Sequence, residues 1–191
     1  MLKDSARGYG WLTITLHWIC AVLIVGLFGL GIYMTDLSYY SPWYHKGPAL
    51  HISLGLTLLL LMVIRVVWRL INPLPDNLPG HSRVTLGAAK TVKYLLYALI
   101  FIIIASGYLI TTAEGKPASL FGVINFPSLI KLSPVNVDRA GEIHELLAWA
   151  IVIVAALHAG AALFHHFVLR DKTLVRMLKP SKKSDLKDRS T

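Results

Sequence analysis

The sequence has one cysteine in 191 residues, and Cys20 lies inside a long apolar run. An intrachain disulfide is therefore impossible, and the residue reads as a small buried apolar side chain. There is no C-x-x-C-H motif, which excludes covalently attached c-type haem. Charge is scarce as well, with 15% of residues charged against 55% hydrophobic. Acids are the scarcest class, ten against nineteen Lys and Arg, for a net charge of +9. No stretch between the apolar runs is long enough to fold as a separate soluble domain.

What is abundant is apolar sequence in long pieces. Four runs, at about 11–35, 49–71, 91–112 and 142–169, each approach or exceed the roughly 20 residues that cross a bilayer. The expected fold is all-α: one integral membrane four-helix domain over residues 1–191, with a basic tail at 170–191. The first run is too long for the apolar region of a signal peptide and reads as a retained span. Four spans put both termini and the second connection on one side. That side holds fifteen Lys and Arg, and the other holds only Lys46, Lys116, Lys131 and Arg139. The positive-inside rule then places both termini in the cytoplasm. A basic surface can also mean nucleic acid, but the membrane accounts for this charge and no nucleic-acid partner is expected. Lys182, Lys183, Lys187 and Arg189 are expected to lie near anionic lipid.

The last run, EIHELLAWAIVIVAALHAGAALFHHFVL, carries His144, His158, His165 and His166. Ionisable side chains at membrane depth are costly and mark functional sites. His144 and His158 are fourteen residues apart, about 21 Å along a helix and nearly on one face. Ala155, Ala156, Ala159, Gly160, Ala161 and Ala162 would let a flat macrocycle approach, although such residues also serve helix packing. His17 lies in the inner half of the first span, at the depth of His158. His51 lies near the outer surface, at the depth of His144. Two pairs at two depths, each joining two helices, suit two b-type haems with bis-histidine ligation. A zinc or copper site would need three or four converging ligands, which residues about 21 Å apart do not supply. His165, seven residues beyond His158, is an alternative inner ligand that spacing alone does not reject.

The remaining polar residues take plainer readings. Arg69 reads as snorkelling to headgroups, while Arg65 lies deeper and suits a haem propionate. His45, in the Tyr- and Trp-rich connection LSYYSPWYHKGP, reads as exposed, and His81, in the Pro- and Gly-rich second connection, as solvated. Pro48 opens the second span, and Asp138 is the expected N-cap of the last. The longest connection, TTAEGKPASLFGVINFPSLIKLSPVNVD, is expected to cover the outer mouth with a short interfacial helix.

WLTITLHW, ALHISLGLTLLLLMVIRVVWRL, IHE and LHAGAALFHHFVLRDKTLVRM together resemble the bacterial cytochrome b561 family over nearly the whole chain. The resemblance implies a bacterial inner-membrane protein with two haems b, ligated by His17/His158 and His51/His144, and so prefers His158 to His165. It also implies electron transfer with ubiquinone, of the superoxide:ubiquinone oxidoreductase kind. The alternative is a non-catalytic subunit linking a redox partner protein to the quinone pool. One departure is Lys93, one turn before Tyr97, where relatives often carry histidine; this weakens any inner-face quinone site built there.

Overall fold

Backbone groups in a bilayer find no water, so an apolar segment of this length satisfies them internally as a helix. The computed structural model describes residues 1–181 and contains four such helices. They are α1 Trp11–Thr35, α2 Lys46–Ile71, α3 Arg83–Thr112 and α4 Pro134–Phe167. Each is long and apolar enough to cross a membrane. Val22, Val25, Val63, Ile102 and Leu157 are among their exposed large side chains, as lipid-facing surface requires. A short α5, Thr173–Arg176, follows. The tail lysines and Arg189 named above lie outside the described residues.

Helix ends are set by local chemistry that apolar run length does not report. The helix α3 begins well before its apolar run because Ser82 caps it, its hydroxyl accepting from the Thr85 N–H at 3.1 Å. The helix α4 begins at Pro134, and the Ser133 carbonyl accepts from the N–H groups of Asn136 and Val137. Asp138 therefore sits inside the helix and is not its N-cap. The helix α2 begins at Lys46, leaving Pro48 in the first turn, where no amide donor is needed.

The expected interfacial helix is instead an antiparallel hairpin, β1 Ala118–Leu120 with β2 Ile124–Phe126. Phe121 and Gly122 both have positive φ, 50° and 74°, and the Val123 N–H donates to the Leu120 carbonyl. That is a type I′ turn, whose twist suits two short strands. Ser53 of α2 holds the hairpin, its hydroxyl accepting from the Phe121 N–H at 3.0 Å and sharing its one hydrogen between the Ala49 carbonyl at 2.9 Å and the Ser119 carbonyl at 3.3 Å.

Contacts divide the chain into two compact units, each containing part of all four long helices. The terminal unit comprises Met1–Ala21, Leu61–Val92 and the chain from Ala155 onward; the loop unit comprises Val22–Leu60 and Lys93–Val154. In the terminal unit, buried Asp4 accepts from the Gly10 N–H and the Thr13 hydroxyl, both at 2.7 Å. Trp68 donates to the same hydroxyl, and Arg69 lies 3.7 Å from the carboxylate. Arg69 is therefore an ion-pair partner of Asp4 and not only a headgroup anchor.

Gly10 makes this arrangement possible. A Cβ there would lie 2.2 Å from the Leu2 carbonyl oxygen, a backbone atom that cannot step aside. Gly10→Ala is expected to cost about 2 kcal/mol or more, lowering Tm in detergent by about 5 °C at about 2–4 °C per kcal/mol. Gly87→Ala, on an open stretch of α3, should match the wild type or gain up to about 1 kcal/mol. Equal losses from the two substitutions would refute the packing account.

Candidate functional site

The loop unit brings His51 of α2 and His144 of α4 together, with ring centres 6.2 Å apart and ring planes at 65°. At that spacing the two residues would be able to hold a haem iron, which would supply reversible one-electron chemistry. The helix α3, which has no histidine, supplies the support. His144 Nδ1 lies 3.0 Å from the Ser106 hydroxyl, which donates to the Ile103 carbonyl at 2.8 Å. With its hydrogen committed to that carbonyl, the hydroxyl acts as acceptor toward His144. His144 then carries its proton on Nδ1, leaving the Nε2 lone pair for a metal.

Glycines lie against both rings, tightly only at Gly107. A Cβ at Gly107 would lie 3.0 Å from His144 Cε1, and one at Gly31 would lie 3.5 Å from His51 Cε1. His51 Nδ1 is buried with no hydrogen-bond partner. Gly26, Gly29 and Gly55 have open space where a side chain would project.

In the terminal unit, His17 of α1 and His158 of α4 lie within electrostatic range of one another and of Arg65. The Arg65 Nη2 donates to His17 Nδ1 at 2.9 Å, and buried Cys20 lies beside the same guanidinium. A guanidinium only donates, so here His17 Nδ1 accepts and its proton sits on Nε2. His158 is exposed, as are Ala156, Ala159, Gly160 and Ala161 beside it. A Cβ at Gly160 would meet nothing within 4 Å, so this face admits a macrocycle.

His165 has a different partner. Its Nδ1 lies 2.6 Å from Asp171 Oδ2, and His81 Nε2 lies 2.9 Å from the same oxygen. His81 is thus a half-buried partner of Asp171, contrary to the expectation of a solvated turn residue. Burial raises the Asp171 pKa, but donors on Thr173, His165 and His81 outweigh it and hold the carboxyl well below the usual carboxylate range. His45 is exposed beside Tyr44. Lys93 has its ammonium 4.7 Å from the centre of the Tyr94 ring. Ser106 and Gly107 are the site residues missed in the sequence; their one signal was a small pair within an otherwise bulky apolar run.

A model of the family described as prokaryotic cytochrome b561 matches residues 8–180. Cytochrome b561 homolog 2 of Escherichia coli is 46% identical over 175 residues, covering 92% of this chain and 93% of the relative. The probable superoxide oxidase CybB of Yersinia pestis is 32% identical over 174 residues, covering 90% and 96%. Cytochrome b562 of Cereibacter sphaeroides is 32% identical over 180 residues, covering 91% and 96%.

Proposed function

Because this chain belongs to the prokaryotic cytochrome b561 family of membrane haem b electron carriers, we propose that it holds two haems b and passes electrons between a donor and ubiquinone. The observation that carries this reading is the His51–His144 pair, spaced for one iron and supported by Ser106. His17 and His158 are the proposed second pair. Bound haem supplies a reversible one-electron store. The protein positions it, tunes it through its ligands and keeps water away.

Arg65 is proposed to serve the second pair. A guanidinium binds a carboxylate better than an imidazole, so Arg65 would transfer its donors to a haem propionate. That transfer frees His17 Nδ1 to take the proton and leaves Nε2 for iron. The charge distribution supports both termini lying in the cytoplasm and the chain lying in the bacterial inner membrane, with lipid and quinone as its partners.

Superoxide is the proposed donor, in line with the name of the Yersinia relative. The overall reaction balances as two superoxide ions, one ubiquinone and two protons giving two dioxygen molecules and one ubiquinol. Charge at the loop-unit connections favours a second reading, a non-catalytic subunit serving a redox partner protein. Lys46, Lys116, Lys131 and Arg139 face five acids there, and Lys116 is held on Glu114 at 2.9 Å. Little positive charge is left over to draw in an anion.

Pyridine haemochrome analysis is expected to give two haems per chain in the wild type, His165→Ala and His166→Ala, and one in His144→Ala and His158→Ala. A single haem in the wild type rejects the pairing, as does loss in His165→Ala with retention in His158→Ala. Ser106→Ala removes a hydrogen-bond partner of His144 Nδ1, so it should raise the midpoint potential of one haem and leave the other unchanged. Stopped-flow haem reduction by superoxide separates the two functional readings. It should slow in Lys46→Gln/Arg139→Gln and with added salt, because attraction between exposed charges is screened within about 8–10 Å. A rate flat to both changes favours the electron-transfer subunit.

A further inference from the structure

The terminal unit contains a second constellation of metal-ligating groups that the haem reading does not use. His81 comes from the α2–α3 connection, His165 from the last turn of α4, and Asp171 from the segment after it. One ring nitrogen of His81, one of His165 and one Asp171 carboxylate oxygen all lie within 4.8 Å of one another. Their side chains are only 16%, 15% and 18% exposed. We propose that these three residues form a binding site for a divalent transition-metal ion, of the zinc class.

Local backbone geometry builds the cluster. Arg170 adopts φ 55° at the end of α4, a conformation a non-glycine residue seldom takes. The chain turns back there, and the Asp171 N–H donates to the His165 carbonyl at 3.0 Å. This reversal sets the Asp171 carboxylate against the His165 ring. The Thr173 N–H holds Oδ1 at 2.7 Å, which leaves Oδ2 facing both imidazoles. A carboxylate has two oxygens for hydrogen bonding, yet both imidazoles converge on one of them. Metal–ligand bonds of about 2.0–2.1 Å place donor atoms about 3.3 Å apart in a tetrahedron. The observed 2.6 and 2.9 Å contacts need open by only fractions of an ångström to admit an ion.

The donor set selects the ion. Two imidazoles and one carboxylate suit zinc and its first-row neighbours, whereas calcium and magnesium take oxygen ligands. The neighbouring cations reinforce that choice. Arg170 and Lys172 flank the carboxylate and are exposed; they oppose an ion held by charge alone more than one held by imidazole nitrogen. Three protein ligands leave one tetrahedral position for water. An ion here would fasten the α2–α3 connection to the end of α4.

The test uses the full chain in detergent with its haem complement retained. Equilibrium dialysis against buffered zinc, read by elemental mass spectrometry, should give one zinc per chain. His81→Gln and Asp171→Asn should weaken binding by at least about tenfold with haem content unchanged. Absorption spectroscopy at the zinc edge should show two imidazoles in the first shell. No bound zinc in the wild type, equal binding in wild type and both variants, or a shell without imidazole would each overturn the site and leave a hydrogen-bonded brace. If either variant loses haem, the wild-type first shell alone decides. Because haem is counted separately, failure of the zinc site leaves the haem pairing standing, and the reverse also holds.

Discussion

The cost of an imidazole where water is absent shapes both units. A neutral ring has one nitrogen that donates and one that accepts, and at membrane depth both need partners inside the protein. His144 meets half of that need with Ser106. His17 meets it with Arg65. The difference is chemical. A hydroxyl anchored on a carbonyl can only accept from the ring, while a guanidinium can only donate to it. His144 and His17 therefore start from opposite tautomers, and only His144 has its Nε2 unprotonated.

The terminal unit shows how a chain with few charges spends them. Asp4 is buried against Gly10, Thr13 and Arg69. The Trp18 indole donates to the Met177 carbonyl, and the Ser181 N–H to the Tyr9 carbonyl. These contacts tie α1 and the segment before it to the segment after α4. Hydrogen bonds to an ionised group are the stronger kind, about 1.5–3 kcal/mol each. One buried carboxylate can therefore organise several segments at once.

Much of this was legible in the sequence, for definite reasons. Bilayer thickness dictates span length, so the four helices stand out as apolar runs, and α1 begins and ends where its run does. The four histidines stand out because so few polar residues share their depth. What was not legible depends on contacts between residues far apart in the chain. The hairpin consists of two three-residue strands, and its anchor, Ser53, is 66 residues from Ser119. The Asp4–Arg69 pair, the Ser106–His144 bond and the convergence of His81, His165 and Asp171 are of the same kind. Run length and spacing along one helix carry no trace of them. The cap at Ser82 was readable in principle, as a serine three residues before Thr85, but the apolar run starts only further along.

Gly107 carries a consequence for how this sequence can vary. Along most helix contacts, aliphatic side chains set the separation and neighbouring positions trade volume freely. Between α3 and α4 the gauge is an imidazole ring pressed against bare backbone, 3.0 Å from where a methyl group would stand. A side chain at position 107 thus requires the ring at position 144 to give way by a few tenths of an ångström. A lineage that gave up the histidine would release its neighbour to become alanine or serine, while one that keeps the histidine holds the glycine in place. The missing side chain on one helix is a record of the ring on the other.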